Sequence, residues 1–472
     1  MKYKEILPAN LLSAPSVTAD SRFVEAGGVF VAIKGETFDG NLYIKEAIKN
    51  GAAFIISESD NEIENAQFIK VDNARDVLVF LSHTIYNQIP SNILAVTGTN
   101  GKTSIASITR DMLLGMKKQA ASIGTLGVIG LSDEPLDTGI NTPNIDRLSK
   151  YLYQLAQANI DYVIMEASSH GLDQNRVIGV PFKAAAFTNL TQDHLDYHHS
   201  FENYFKAKML LFSKYMQNGV AVLNADIEQF HDICMVCAQH NNKVISYGAD
   251  QSADLRLLSS SIMGNKQRIE FEYQKNRFDF RIPLFGVHQA YNVLASIGLL
   301  VALNFNIQDI VQATSSIAPI PGRMELVSDK NNKFIFIDYS HSTDSLQKAL
   351  ETLIALKRGK IWLVFGCGGD RDKEKRTQMG SVANALADYV IVTDDNPRTE
   401  EPSTIRAEIL SNALNAIEIG DRKAAIKYAI NAMAPGDSLL IAGKGHEKYQ
   451  IIGDRSIPFD EHKIVQTFAA NA

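Results

Sequence analysis

The run Thr97-Gly98-Thr99-Asn100-Gly101-Lys102-Thr103-Ser104 carries the residue types that bind a nucleoside polyphosphate. Its glycines let successive backbone N–H groups turn toward phosphate oxygens. Lys102 supplies a charge for the β- and γ-phosphates, and the Thr103 hydroxyl is a ligand for Mg²⁺. Val96 stands where the general phosphate loop has its first glycine. A second group gathers Glu166, Ser168, His170, Gln174 and Arg176, then Asp193-His194-Leu195-Asp196 and Lys208. It offers oxygen and imidazole donors suited to a hard divalent cation. A third group consists of Gly366-Cys367-Gly368-Gly369-Asp370-Arg371, Asp395-Asn396-Pro397-Arg398 and Gly443-Lys444-Gly445-His446-Glu447. Its guanidiniums have the fork geometry that pairs with carboxylates.

These groups need elements to hold them. Short apolar runs precede them at Ile93–Val96, Tyr162–Met165, Phe334–Ile337, Ile361–Phe365, Tyr389–Val392 and Ser438–Ile441, as in strands buried on both faces. Open α/β sheets bind ligands at the carboxyl ends of their strands, so the pattern predicts doubly wound α/β domains around a shared cleft. Ile105, Ile108 and Met112 form the apolar stripe of a helix behind the phosphate loop, whose N-terminus adds partial positive charge. At the start of the chain, Asp20-Ser21-Arg22 and Gly27-Gly28 precede the apolar run Val29–Ile33, and Asp39-Gly40 is a turn signal. Ala318-Pro319-Ile320-Pro321-Gly322 has the composition of a linker. Residues 1–88, 89–322 and 323–472 are the expected domains, in keeping with the size at which single cores divide.

The 472 residues are 45% hydrophobic and 21% charged, with a net charge of −7. That balance is globular and argues against a general nucleic-acid binder, which carries a basic surplus. No apolar run has the length of a membrane helix, and the basic Met1-Lys2-Tyr3-Lys4 is followed by Pro8 and Asn10 rather than a signal-peptide core. Three cysteines fit a reducing compartment, so the cytoplasm is expected. His231, Cys234, Cys237 and His240 suggest zinc by type, but on one helix they would spread over about 13 Å and could not converge on one ion.

The loop from Thr97 to Thr103, with the other motifs spread over nearly the whole chain, resembles the Mur ligases and, through the loop itself, folylpolyglutamate synthetases. The resemblance implies a three-domain α/β architecture: an N-terminal UDP-binding domain, a central P-loop ATPase domain and a C-terminal Rossmann-like domain. It implies an ATP-dependent amide-bond ligase of peptidoglycan precursor synthesis. Within the family, Asp395-Asn396-Pro397-Arg398, Arg371, Gly443 and Glu447 match the contacts of enzymes that add meso-diaminopimelate to UDP-MurNAc-L-Ala-D-Glu. Gly98 to Ser104, His288, Asn292, Arg323, Asp338 and His341 then correspond to ATP contacts. Ser21, Asn141, Thr142, Ser168, Gln174 and Arg176 correspond to contacts with the UDP-linked precursor, although Asn141 stands where the family usually has threonine. Glu166 and His194 correspond to Mg²⁺ ligands, and Lys208 to a lysine carbamylated by CO₂ that helps hold the metal. Where the family continues His-Thr-Pro-Asp, this chain has His341-Ser342-Thr343-Asp344, losing a proline that presets the turn. A monomer is expected, with neither nucleic acid nor membrane as partner.

Four other readings remain open from the sequence. A folylpolyglutamate synthetase would need neither the first block nor the Arg398 motif. A lysine-adding ligase would lack Arg398. A P-loop motor or small-molecule kinase leaves Asp193-His194-Leu195-Asp196 and Lys208 unexplained. A non-catalytic paralogue that binds nucleotide or precursor draws only on the altered His341-Ser342-Thr343 stretch.

Overall fold

The structure is a computed structural model that describes residues 1–472 except 1, 2, 4, 6, 36, 37, 61, 62, 357 and 470–472. Of the basic N-terminal stretch, Met1, Lys2 and Lys4 therefore lie outside the described residues. Three main sheets follow one another along the chain. The first is parallel throughout, in the order Val17–Thr18, Val29–Ala32, Phe54–Ser57, Gln67–Lys70.

The second sheet has ten strands, and Asn92–Thr97 lies inside it between Phe182–Phe187 and Tyr162–Glu166. Ile93 to Val96 are fully buried, which explains the unbroken apolar run. Helix Lys102–Gly115 packs behind that strand through Ile105, Ile108 and Met112, all fully buried. One edge is an antiparallel meander, Leu255–Met263, Lys266–Tyr273 and Asn276–Ile282. Its signals in the sequence are the Gly264-Asn265 turn and strict alternation in Gln267, Ile269 and Phe271.

The third sheet runs Glu325–Ser328, Phe334–Asp338, Ser438–Ala442, Ile361–Phe365, Tyr389–Val392, Ile417–Glu418, and is parallel from the second strand onward. Its register pairs Asp338 with Ala442 and Phe365 with Val392, so the loops after these strands open at one edge. All six runs expected to be strands are strands, and the polar clusters follow them at the carboxyl ends. Among the described residues, no helix is long and apolar enough to cross a membrane. His231, Cys234 and Cys237 lie along one helix, Phe230–Gln239, with His240 as its C-cap, and the cysteines are free.

The missing proline before Asp344 has a local replacement. Ser342 caps helix Thr343–Ala355 through a reciprocal capping box with Ser345. The hydroxyls fix the helix start that proline would have preset. Replacing Ser342 by Ala is expected to destabilise the third domain by about 1 kcal/mol. Trp362, the single tryptophan, stacks on Tyr389 in this sheet, so its fluorescence during chemical denaturation reads that change directly.

Candidate active site

Parallel strand register places the phosphate loop, Glu166 and Thr188 side by side, since Val96 pairs with Glu166 and Thr97 with Phe187. Gly98 (φ +136°) presses against Thr188: a Cβ there would stand 1.8 Å from the Thr188 Oγ1. Thr188 Oγ1 donates to the Asn100 carbonyl at 2.6 Å, and Asn100 N donates to Asn189 Oδ1 at 2.9 Å. Gly101 (φ +90°) starts the helix and lies against Asn292. Thr103 and Ser104 are buried in its first turn. Lys102 Nζ folds back onto the loop, donating to the carbonyls of Gly98 (2.8 Å) and Thr99 (2.7 Å). Burial pushes its ammonium below the ordinary lysine range, while Glu166 and Asp193 pull the other way.

Lys208 reaches the same place from helix Phe201–Leu210. Its Nζ also donates to Gly98 O at 2.8 Å and lies 4.3 Å from the centre of the Tyr204 ring. Burial, with Lys102 nearby, drives it well below its ordinary value. Tyr204, which sequence reasoning passed over, exchanges a 3.1 Å hydrogen bond with Thr99 Oγ1.

Glu166 is buried and held by Thr125, whose N–H and hydroxyl donate to its two oxygens at 2.8 and 3.0 Å. Gly124 makes room for it, since a Cβ there would lie 2.3 Å from Glu166 Oε1. Neither residue stood out in the sequence. His194 has a left-handed backbone (φ +54°) and faces His170, with ring centres 4.8 Å apart. Burial lowers His194 to about 4, so it is a neutral imidazole near pH 7. Among the described residues, no three His, Cys, Asp or Glu side chains form a group that could hold a metal. The donors present still fit Mg²⁺, which keeps several waters and phosphate oxygens and takes few ligands from the protein.

On the precursor side, Thr142 Oγ1 donates to the Glu166 carbonyl at 2.9 Å and exchanges a 3.0 Å bond with Ser168 Oγ. Arg176 donates to Thr142 O and Gln174 Oε1 at 2.9 and 2.6 Å. These four residues form one patch beside Glu166, with half-buried Asn141 next to Thr142. Ser21 lies in the first domain and donates to Glu46 Oε2 at 2.7 Å.

The third domain closes on the loop. Arg323 donates to Thr103 Oγ1 at 3.0 Å and stacks over Tyr339, and Asn100 Nδ2 donates to Asp344 Oδ2 at 3.0 Å. Asp338, raised by burial, accepts from Met324 N at 2.6 Å and so fixes the turn that carries Arg323. His341 Nδ1 lies 2.7 Å from the Tyr339 carbonyl, and Lys375 donates to His341 O at 3.0 Å. His288, at the start of helix Val287–Ala302, has Lys348 and Asp344 as its charged neighbours.

Arg398 and Arg371 flank Gly368, and burial, with Arg371 nearby, lowers Arg398. Arg398 takes a left-handed backbone (φ +54°) and donates to Gly369 O at 2.7 Å. The two loops are clamped by Arg376, which is fully buried, bonds Glu400 and Glu408, and holds Glu400 down at about 2. Glu447 accepts from Asn396 Nδ2 at 3.0 Å and lies 3.2 Å from Lys444 Nζ, so its carboxylate already faces one cation. Asp395 Oδ2 lies 4.0 Å from Arg422, and Asp395 is also a charged neighbour of Arg398. Gly443 (φ +117°) lets the loop after Ser438–Ala442 pass close to Asp395.

A glycine-rich loop with Lys102 in one α/β domain, a rim carrying Arg371 and Arg398 in the next and Arg323 bridging them define a two-domain site. Sequence profiles described as the Mur ligase family catalytic domain, the Mur ligase middle domain, and the Mur ligase, glutamate ligase domain match residues 15–91, 96–300 and 322–445. The chain belongs to the Mur ligase family. It is 40% identical over 458 residues to the UDP-N-acetylmuramoyl-L-alanyl-D-glutamate--2,6-diaminopimelate ligase of Rickettsia conorii, covering 95% of each chain. To the ligase of the same name from Agrobacterium fabrum it is 39% identical, covering 99% and 96%. A solved ligase of that name superposes with a TM-score of 0.68 at 30% identity, covering 97% of this chain and 95% of the other. The MurF ligase of Thermotoga maritima in complex with ADP gives 0.70 at 22% identity, covering 93% and 96%, and shares the fold.

Two outcomes are expected. Replacing Gly124 by Ala displaces the Glu166 carboxylate and lowers turnover about a hundredfold, read by steady-state kinetics, with Trp362 fluorescence unchanged. His288 and His446 are both pushed down to about 4 by burial from 6.5. The unfolded chain takes up these protons first, so their contribution is full above about pH 6.5 and lost as pH falls toward 4. Denaturation midpoints should decline across that window, and less steeply in H288Q.

Proposed function

We propose that the chain is a cytoplasmic, monomeric bacterial ligase that joins meso-diaminopimelate to the D-glutamyl carboxylate of UDP-MurNAc-L-Ala-D-Glu, with conversion of ATP to ADP and phosphate. The observation that carries this is the bridged cleft, in which Arg323 and Asn100 tie the phosphate loop to the domain bearing Arg371, Arg398 and Glu447. The family and the names of its relatives support the same reading.

The roles follow from the chemistry. Loop amides from Gly98 to Ser104 and Lys102 take the phosphates, Arg323, Asp338 and His341 close over them, and His288 and Asn292 face the adenine. Ser21 meets the uridine side of the precursor. Asn141, Thr142, Ser168, Gln174 and Arg176 take its dipeptide end, where Arg176 would exchange its Gln174 contact for a carboxylate. A D-glutamyl carboxylate oxygen attacks the γ-phosphorus, the bond to the β–γ bridging oxygen breaks, and ADP leaves with that electron pair. The neutral amine of meso-diaminopimelate then attacks the acyl carbon, the C–O bond to phosphate breaks, and one amine proton is released. Lys102 and the loop amides stabilise charge on the phosphate oxygens. Holding amine and acyl phosphate together supplies up to about 7–11 kcal/mol of the barrier reduction.

Thr103, Glu166, His194 and carbamylated Lys208 would hold Mg²⁺, which when bound neutralises phosphate charge. Burial of Lys208 favours the neutral amine, the form that adds CO₂ with release of one proton, and the resulting anion would face the Lys102 ammonium on the same loop. Asp395, Asn396, Pro397 and Gly443 shape the amino-acid pocket, where Arg398 and Arg371 meet the distal carboxylate. Lysine lacks that group and would leave exposed Arg371 and half-buried Arg398 without their carboxylate partner, which disfavours it.

Phosphate release assayed with each amino acid in parallel, with mass spectrometry of the product, is expected to show ligation of meso-diaminopimelate and not L-lysine. Equal release with L-lysine would overturn the assignment of Arg398, and no release with either would overturn the ligase. In CO₂-depleted buffer, turnover is expected to fall and to recover on adding bicarbonate. Full activity without CO₂ would contradict the carbamate.

A further inference from the structure

The first domain is docked on the second largely through one helix, Ile145–Gln157, which begins just after Asn141-Thr142-Pro143. Arg147 stacks over Phe23 at 4.2 Å, Lys150 pairs with Glu25, and Tyr153 packs on Tyr86. Asp146 does something different from these contacts. A carboxylate in the first turn of a helix ordinarily faces its own N–H groups. This one is buried, at 3% exposure, and crosses to the other domain, where a single oxygen, Oδ2, accepts from the Thr18 hydroxyl (2.9 Å) and from Ala19 N (3.1 Å). Thr18 Oγ1 in turn accepts from Asp20 N at 3.1 Å, and Asp20 caps the short turn Ser21–Phe23. The backbone from Ala19 to Ser21 is therefore fixed by a residue of the second domain.

The carboxylate's other oxygen, Oδ1, is buried without a hydrogen-bond partner beside an interdomain cavity of about 170 Å³ lined also by Ser16, Phe23 and Tyr151. A carboxylate left half-satisfied is a poor device for stability alone, because burying a charge without partners is unfavourable. Its two bonds go instead to the segment ending in Ser21, while its helix starts beside Thr142. We infer that Asp146 is a positioning residue that sets the distance between the uridine-side and dipeptide-side contacts of the UDP-linked precursor. This rests on the proposed function, which places the two ends of one substrate at Ser21 and Thr142.

The test uses the full chain and the variants D146A, D146N and T18V. The side-chain amide in D146N would keep an oxygen for Thr18 and Ala19, so this variant is the conservative rescue. UDP-MurNAc-L-Ala-D-Glu is titrated calorimetrically into each protein without ATP, and steady-state kinetics are run with all three substrates. D146A is expected to weaken precursor binding and raise its KM about tenfold or more, with kcat and the KM for ATP and for the amino acid within twofold. D146N should recover most of the loss, and T18V should reproduce it without adding to it in the double variant. Precursor affinity unchanged in D146A, or all three KM values rising together with an earlier thermal transition, would overturn the inference. Wild-type protein that binds precursor but turns nothing over would refute the ligase while the binding arm still decides the role of Asp146. Absence of precursor binding by wild type would overturn both.

Discussion

Two lysine ammoniums converge on one backbone carbonyl at the centre of the molecule, Lys102 and Lys208 each 2.8 Å from Gly98 O. Lys208 is buried and Lys102 half-buried, and desolvation disfavours the charge on each. A carbonyl dipole compensates desolvated positive charge poorly, so the loop suits an anion such as phosphate beside Lys102. Much of the surrounding structure serves this point. Gly98 and Gly101 admit backbone conformations and approaches that a side chain would block, and Thr188, Asn189 and Tyr204 hold the loop from behind.

The parallel registers extend that constraint. Because Val96 aligns with Glu166, the carboxylate stands beside the loop without any long-range loop having to carry it. The third sheet repeats the device, with Asp338, Gly443 and the Gly366 and Thr393 turns at one edge. Rigid strands set the position of each polar cluster, and short glycine-rich turns set its direction. Chemistry that needs reacting groups within hydrogen-bond reach gains most from this arrangement.

The strands at Ile93–Val96 and Ile361–Phe365 were legible in the sequence because fully buried parallel strands are written as unbroken apolar runs. The phosphate loop was legible because its glycines and Lys102 sit between such a strand and a helix. The supports were not. Thr125 and Gly124 matter through one contact to Glu166 that exists only once two strands are neighbours, and Arg376 looks like an ordinary helix-surface arginine until the loops fold over it. The 4.0 Å approach of Asp395 to Arg422 is of the same kind, since it exists only once their two elements are neighbours. The Ser342 capping box could have been read locally, since a serine followed three positions later by a polar partner is a helix-start signature, and it removes the concern raised by the missing proline.

An acyl phosphate requires one oxygen of the D-glutamyl carboxylate to leave with phosphate. UDP-MurNAc-L-Ala-D-Glu labelled with ¹⁸O in the D-glutamyl carboxylate, incubated with ATP, Mg²⁺ and meso-diaminopimelate, should yield phosphate carrying one ¹⁸O per amide formed, as detected by mass spectrometry. Unlabelled phosphate alongside the amide product would contradict an acyl phosphate and the placement of that carboxylate against the Lys102 loop.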